Sequence, residues 1–136
     1  MAATRSSPAL ISPKDVAAKD RGGGIRTVPL VTALTGSKQM LNGITTLEPG
    51  AAVPEHYHNC EESVLVLSGK ARAHIDGVDR DVAPGEVSWI PEGVPHFFRN
   101  VSDDEPMSIF WTYASIDATR TVVATGLTTR IDEEHK

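Results

Sequence analysis

Near the middle of this 136-residue chain, His56, His58, Glu62 and His96 have the residue types and spacing to hold a metal ion. On an extended strand successive side chains alternate faces, so His56 and His58 point to one side and Tyr57 to the other. Glu62 follows four residues after His58, and Asn59-Cys60-Glu61 reads as a turn or bulge that returns the carboxylate to the same face. Val64 and Val66 then share that inward face. A third imidazole comes from His96, held behind the stiff segment Pro91-Glu92-Gly93-Val94-Pro95. Three imidazoles and one carboxylate suit Mn, Fe, Co, Ni, Cu or Zn, whereas Mg and Ca prefer oxygen shells. Four ligands on an octahedral ion leave two positions for water, dioxygen or a bidentate substrate, and open positions separate catalytic from structural sites.

The elements that must position these groups read as strands. Apolar and β-branched runs at 27–35, 39–47, 63–67, 71–75, 78–82, 86–90, 97–101 and 107–113 alternate with turn residues. Short strands at this spacing predict an all-β sandwich or barrel. Asp76-Gly77 is a two-residue hairpin signal, and Pro49-Gly50, Pro84-Gly85 and Pro91-Glu92-Gly93 punctuate the rest. Helical periodicity is confined to one turn near 13–19. Residues 1–24, ending in Gly22-Gly23-Gly24, read as a flexible N-terminal arm, and residues 25–136 as one domain with a short polar tail.

Gly50, His56, His58, Glu62 and Gly69 match the first cupin motif at every fixed position, and Gly85, Pro91, Gly93, His96 and Asn100 match the second. The chain therefore resembles the cupin superfamily, and the 15 residues between the motifs resemble its compact single-barrel members. The resemblance implies an all-β, cupin-type double-stranded β-helix or jelly-roll barrel with His56, His58, Glu62 and His96 as metal ligands. Family spacing and strand parity both favour Glu62 over Glu61 as the carboxylate. Small cupins are commonly dimers, so the resemblance also implies a homodimer, with segment 27–35 covering an open sheet edge.

Other residues have quieter readings. His74 alternates away from the inward Ala71, Ala73 and Ile75, so it points outward. His135 falls in the polar tail and reads as solvated. Cys60, at a turn, is a bystander to a ligand set already complete. Trp89, Trp111, Phe97, Phe98, Phe110, Tyr57 and Tyr113 read as core or interface. Phe98 shares the face of His96 and forms a pocket wall, and Thr45 is a second wall candidate.

The 13 Lys and Arg against 18 Asp and Glu give a net charge of −5 without a basic stripe, which argues against nucleic acid as partner. No apolar stretch approaches the roughly 20 residues that span a bilayer. The N-terminus lacks the apolar core of a secretory signal, and a lone cysteine permits no internal disulfide. A cytoplasmic protein with a small-molecule partner is the expectation.

One barrel serves many reactions, and three functions are consistent with the site. The first is a dioxygenase-type oxidoreductase using Fe or Mn, with Ni, Zn, Co or Cu as other occupants, on a small oxygenated molecule. The second is a redox-neutral isomerase, decarboxylase or lyase, which requires a general base that the sequence does not declare. The third is a non-catalytic sensor or binding module.

Overall fold

The computed structural model describes residues 7–135, with side chains described through residue 134. His135 and the first six residues of the arm therefore lie outside the described side chains. Twelve strands form: β1 (Lys19–Gly22), β2 (Ile25–Pro29), β3 (Leu41–Leu47), β4 (His56–His58), β5 (Glu62–Ser68), β6 (Ala71–Ile75), β7 (Val78–Val82), β8 (Val87–Ile90), β9 (His96–Asn100), β10 (Met107–Tyr113), β11 (Thr119–Val122) and β12 (Thr128–Arg130). They build two six-stranded antiparallel sheets, ordered β1-β2-β3-β10-β5-β8 and β12-β11-β4-β9-β6-β7. This is the expected all-β jelly-roll. Among the described residues no helix is long and apolar enough to cross a membrane.

Period-two patterning explains the layers. In β3 and β10 every second residue is buried, so each strand gives one face to the core and one to the outside. Leu41, Leu47, Val64, Val66 and Met107 from one sheet meet Ala71, Ala73 and Phe98 from the other in a single cluster. Burying these side chains supplies the main driving force for folding. Val87 and Trp89, on the edge strand β8, remain exposed.

The turns obey their local chemistry. Asp76 and Gly77 both take positive φ, 52° and 78°, which is the backbone of a tight two-residue hairpin between β6 and β7. The glycine triplet behaves otherwise than the sequence suggests. Gly22, Gly23 and Gly24 all take positive φ, 80°, 63° and 81°, so the triplet is a fixed reversal that folds β1 back onto β2. Lys19–Gly22 thus forms a strand where the sequence reading placed arm.

The expected strand 27–35 also stops early. Pro29 lacks an N–H for further pairing, and Thr32 and Thr35 cap each other around the short 3-10 turn Ala33–Thr35. Within the chain β2 lies inside the sheet, between β1 and β3, so β1 rather than 27–35 is the edge strand.

Candidate metal centre

Strand register assembles the site. In antiparallel sheets, residues directly opposite each other project to the same face. His56 on β4 lies opposite His96 on β9, His58 opposite Arg120 on β11, and Glu62 on β5 opposite Tyr113 on β10. Five of these six face inward and are buried to 5 % exposure or less, and Arg120 to 9 %. Ring centroids of His56, His58 and His96 are 4.5–5.1 Å apart, and one nitrogen from each lies within 4.8 Å of the others. Glu62 Oε1 is 2.9 Å from His96 Nε2 and 3.3 Å from His58 Nε2.

The other ring nitrogens determine what this cluster can do. Each Nδ1 meets a backbone carbonyl: His56 with Pro54 at 2.6 Å, His58 with Thr119 at 2.9 Å, His96 with Val94 at 2.9 Å. A carbonyl oxygen only accepts, so each Nδ1 carries the proton and donates. In the neutral rings this leaves three Nε2 lone pairs pointing inward beside an acceptor-only carboxylate. His58 Nε2 is buried without a hydrogen-bond partner. A cluster of lone pairs with one orphaned nitrogen fits a divalent transition ion. His56, His58 and His96 would hold that ion, with Glu62 as the adjacent anionic donor.

Electrostatics agree with the donor role. Burial, then the positive charge of Arg120 and the neighbouring histidines, lower the His56 pKa from 6.5 to about 2, so its imidazole is neutral. Burial pushes the Glu62 carboxyl upward, and protons donated by His58 and His96 reverse this and lower it; in the neutral rings that pull is absent, and a bound cation would supply it instead.

A stability prediction follows for the metal-free protein. On unfolding, His56 would take up a proton near pH 6.5, which the folded imidazole accepts only near pH 2. Between those values the unfolded state binds more protons, so stability rises with pH and is lost on acidification. The urea midpoint is expected to fall between about pH 7 and about pH 5, and a His56→Leu variant to lose part of that fall. Equal acid sensitivity in both proteins would assign the effect to other groups.

The centre opens onto a cavity of about 30 Å³, lined among others by Thr45, Phe98, Trp111, Tyr113, Arg120 and Glu134. Phe98 and Thr45 are therefore wall residues. Thr45 Oγ1 accepts from Trp111 Nε1 at 2.8 Å and lies 2.9 Å from Thr27 Oγ1, so its hydroxyl is engaged within the wall. Burial, then the Glu62 charge, raise the Tyr113 hydroxyl well above an ordinary phenol and keep it protonated.

The remaining candidates lie elsewhere. Glu61 is exposed and accepts a hydrogen bond from the exposed Trp89 at 2.9 Å. His74 stands on the outer side between Glu55 and Asp79, stacked on Phe97. Cys60 is half-buried against the core, and burial raises its thiol pKa, away from the reactive thiolate. Arg21, Arg120 and Glu134, which also line the cavity, escape sequence reasoning altogether. Tyr113, expected in core or interface, is buried on the same face as Met107, Ile109 and Trp111, and that strand parity is the signal for its place at the cavity.

The architecture is a two-layered jelly-roll with an inward three-histidine cluster that could hold a metal ion. Residues 43–113 match the cupin domain model, and the chain belongs to the cupin family. It is similar to polyketide synthase CurC of Streptomyces cyaneus, with 33 % identity over 93 residues, 68 % of this chain and 60 % of CurC. It is also similar to oxalate decarboxylase OxdC of Bacillus subtilis, with 34 % identity over 74 residues, half of this chain and 19 % of OxdC. Both alignments span less than two thirds of the relative's length. Among solved structures, the polyketide cyclase RemF of Streptomyces resistomycificus superimposes with a TM-score of 0.74 at 20 % identity, over 92 % of this chain and 86 % of RemF.

Proposed function

We propose that this protein is a metal-dependent enzyme acting on a small, oxygen-rich carbonyl compound without net oxidation, by enolisation, cyclisation or decarboxylation. The observation that carries this reading is one shared cavity, lined by His56, Glu62 and His96 of the donor set together with a protonated Tyr113 and the charged Arg120. A divalent ion bound there supplies Lewis acidity to a substrate oxygen. The chain's own groups do the rest. Tyr113 holds a proton on Oη, ready to hydrogen-bond an oxygen that gains charge. Phe98, Ile109 and Trp111 wall the site with apolar surface and keep bulk water out. The polyketide and decarboxylase names of the relatives support carbonyl chemistry over oxygen insertion.

An oxidative reading of the same centre, with Fe or Mn and dioxygen at the free positions, differs in one measurable respect, namely consumption of oxygen. Protein loaded separately with Mn, Fe and Zn is to be assayed against β-keto acids and 1,3-diketones under argon and under air. Metal-dependent turnover at equal rates in both atmospheres is expected. Turnover only in air, with stoichiometric oxygen uptake, would transfer the assignment to a dioxygenase. Tight retention of a carbonyl compound without conversion would make the protein a binding module.

A further inference from the structure

The cavity wall beside the histidines carries an unusual charge arrangement. Arg120 is nine-tenths buried, and its Nε has no hydrogen-bond partner. Its Nη1 donates to Glu134 Oε1, and Arg21 Nη2 lies 3.4 Å from the same carboxylate oxygen. One carboxylate thus serves two guanidinium groups, Glu62 and Tyr113 are the other groups that act on Arg120, and the Nε donor at the cavity wall is left unused. A buried donor left without an acceptor is costly until something pairs with it. Glu134 belongs to the 3-10 turn Ile131–His135, which packs over the cavity through the buried Ile131. With that turn in place the cavity holds about 30 Å³. A single water needs about 10–15 Å³ on this measure, so no organic ligand of several heavy atoms fits until a wall moves.

We propose that Arg120, assisted by Arg21, is the receptor for a carboxylate of the substrate, and that Glu134 occupies its place in the closed form. Entry of the ligand exchanges one carboxylate for another on the same guanidinium groups, frees the Ile131–His135 turn and opens the space beside the metal ligands. The planar fork of an arginine suits this role, because Nε and one Nη present two parallel donors to a carboxylate. This inference rests on the reading of the cavity as a substrate site and narrows the substrate to an organic acid.

The test uses metal-free protein, so it is independent of whether the histidines hold an ion, which zinc titration measures separately. In a Trp89→Phe background, emission of Trp111 reports the cavity, since Trp111 lines it and Trp89 is exposed. Acetate, benzoate and the uncharged benzamide serve as probes. Glu134→Gln keeps the shape of the side chain and removes the competing charge. It is expected to tighten carboxylate binding about tenfold, the effect of about 1.4 kcal/mol, and to leave benzamide unchanged. Arg120→Met is expected to weaken carboxylate binding at least about tenfold. If Arg120→Met does not fold, the Glu134→Gln comparison still decides. Equal effects on benzoate and benzamide, unchanged or weaker carboxylate binding in Glu134→Gln, or no carboxylate binding in either protein would overturn the proposal.

Discussion

Alanine at His56 or at His96 is expected to strip the metal from the protein, from about one ion per chain to less than about a tenth, while the jelly-roll stays folded. Groups that merely orient a ligand are worth about 10–100-fold in metal affinity, so loss of a ligand itself should cost at least that upper figure. His56 and His96 stand opposite each other in the β4–β9 register, and removing either opens one side of the cluster. The structural cost is smaller. Each substitution leaves one backbone carbonyl, Pro54 or Val94, without its donor, about 1–3 kcal/mol against a typical stability of about 5–15 kcal/mol. Elemental analysis after dialysis, with circular dichroism as control for folding, measures both parts. Unchanged metal in either variant would remove that histidine from the centre.

Asn100→Ala is expected to cost stability heavily, at about 3 kcal/mol or more. The side chain is fully buried. Its amide donates to the Leu47 carbonyl at 3.0 Å and the Glu105 carbonyl at 2.8 Å, and its Oδ1 accepts from the Ser102 N–H at 2.9 Å. Alanine would orphan three backbone groups at once, each worth about 1–3 kcal/mol when left unsatisfied. Asn100 is also the last residue of β9, the strand that begins with His96. It therefore ties the far end of the strand that carries His96 to β3. Urea unfolding of the two proteins gives the difference, and a loss below about 1 kcal/mol would contradict this role.

The same residue illustrates what the sequence revealed. Asn100 was legible as a motif position, but its contribution, a three-way latch on main-chain groups, appears only when β3 and the 100–107 turn converge on it. The inward face of the site was legible because parity is a local property: His56, His58, Val64, Val66, Ala71 and Ala73 all fall on the buried side that alternation assigns. Strands β6, β7 and β10 carry the bounds that their patterning suggested. Strands β11 and β12 escaped because 119–122 and 128–130 are too short and polar to show a period. With β11 unseen, Arg120 had no face. Arg21 was hidden for a related reason: a glycine triplet reads as slack until its three positive φ values make it a hinge with one geometry. Glu134 sits in a charged tail whose composition suggests solvent, and only the tertiary position of two arginines gives it a partner.

The main-chain hydrogen bonds of the three imidazoles have a consequence for how such a protein can change over time. The groups that aim the three imidazoles are the carbonyls of Pro54, Val94 and Thr119, and a peptide carbonyl survives almost any side-chain replacement at its own position. The aiming apparatus is thus largely immune to substitution, whereas the cavity-lining side chains, such as Thr45, Phe98, Trp111 and Arg120, are free to vary. The histidine cluster and the cavity wall become separately evolvable traits, and one scaffold can be given a new wall without relearning how to aim its imidazoles.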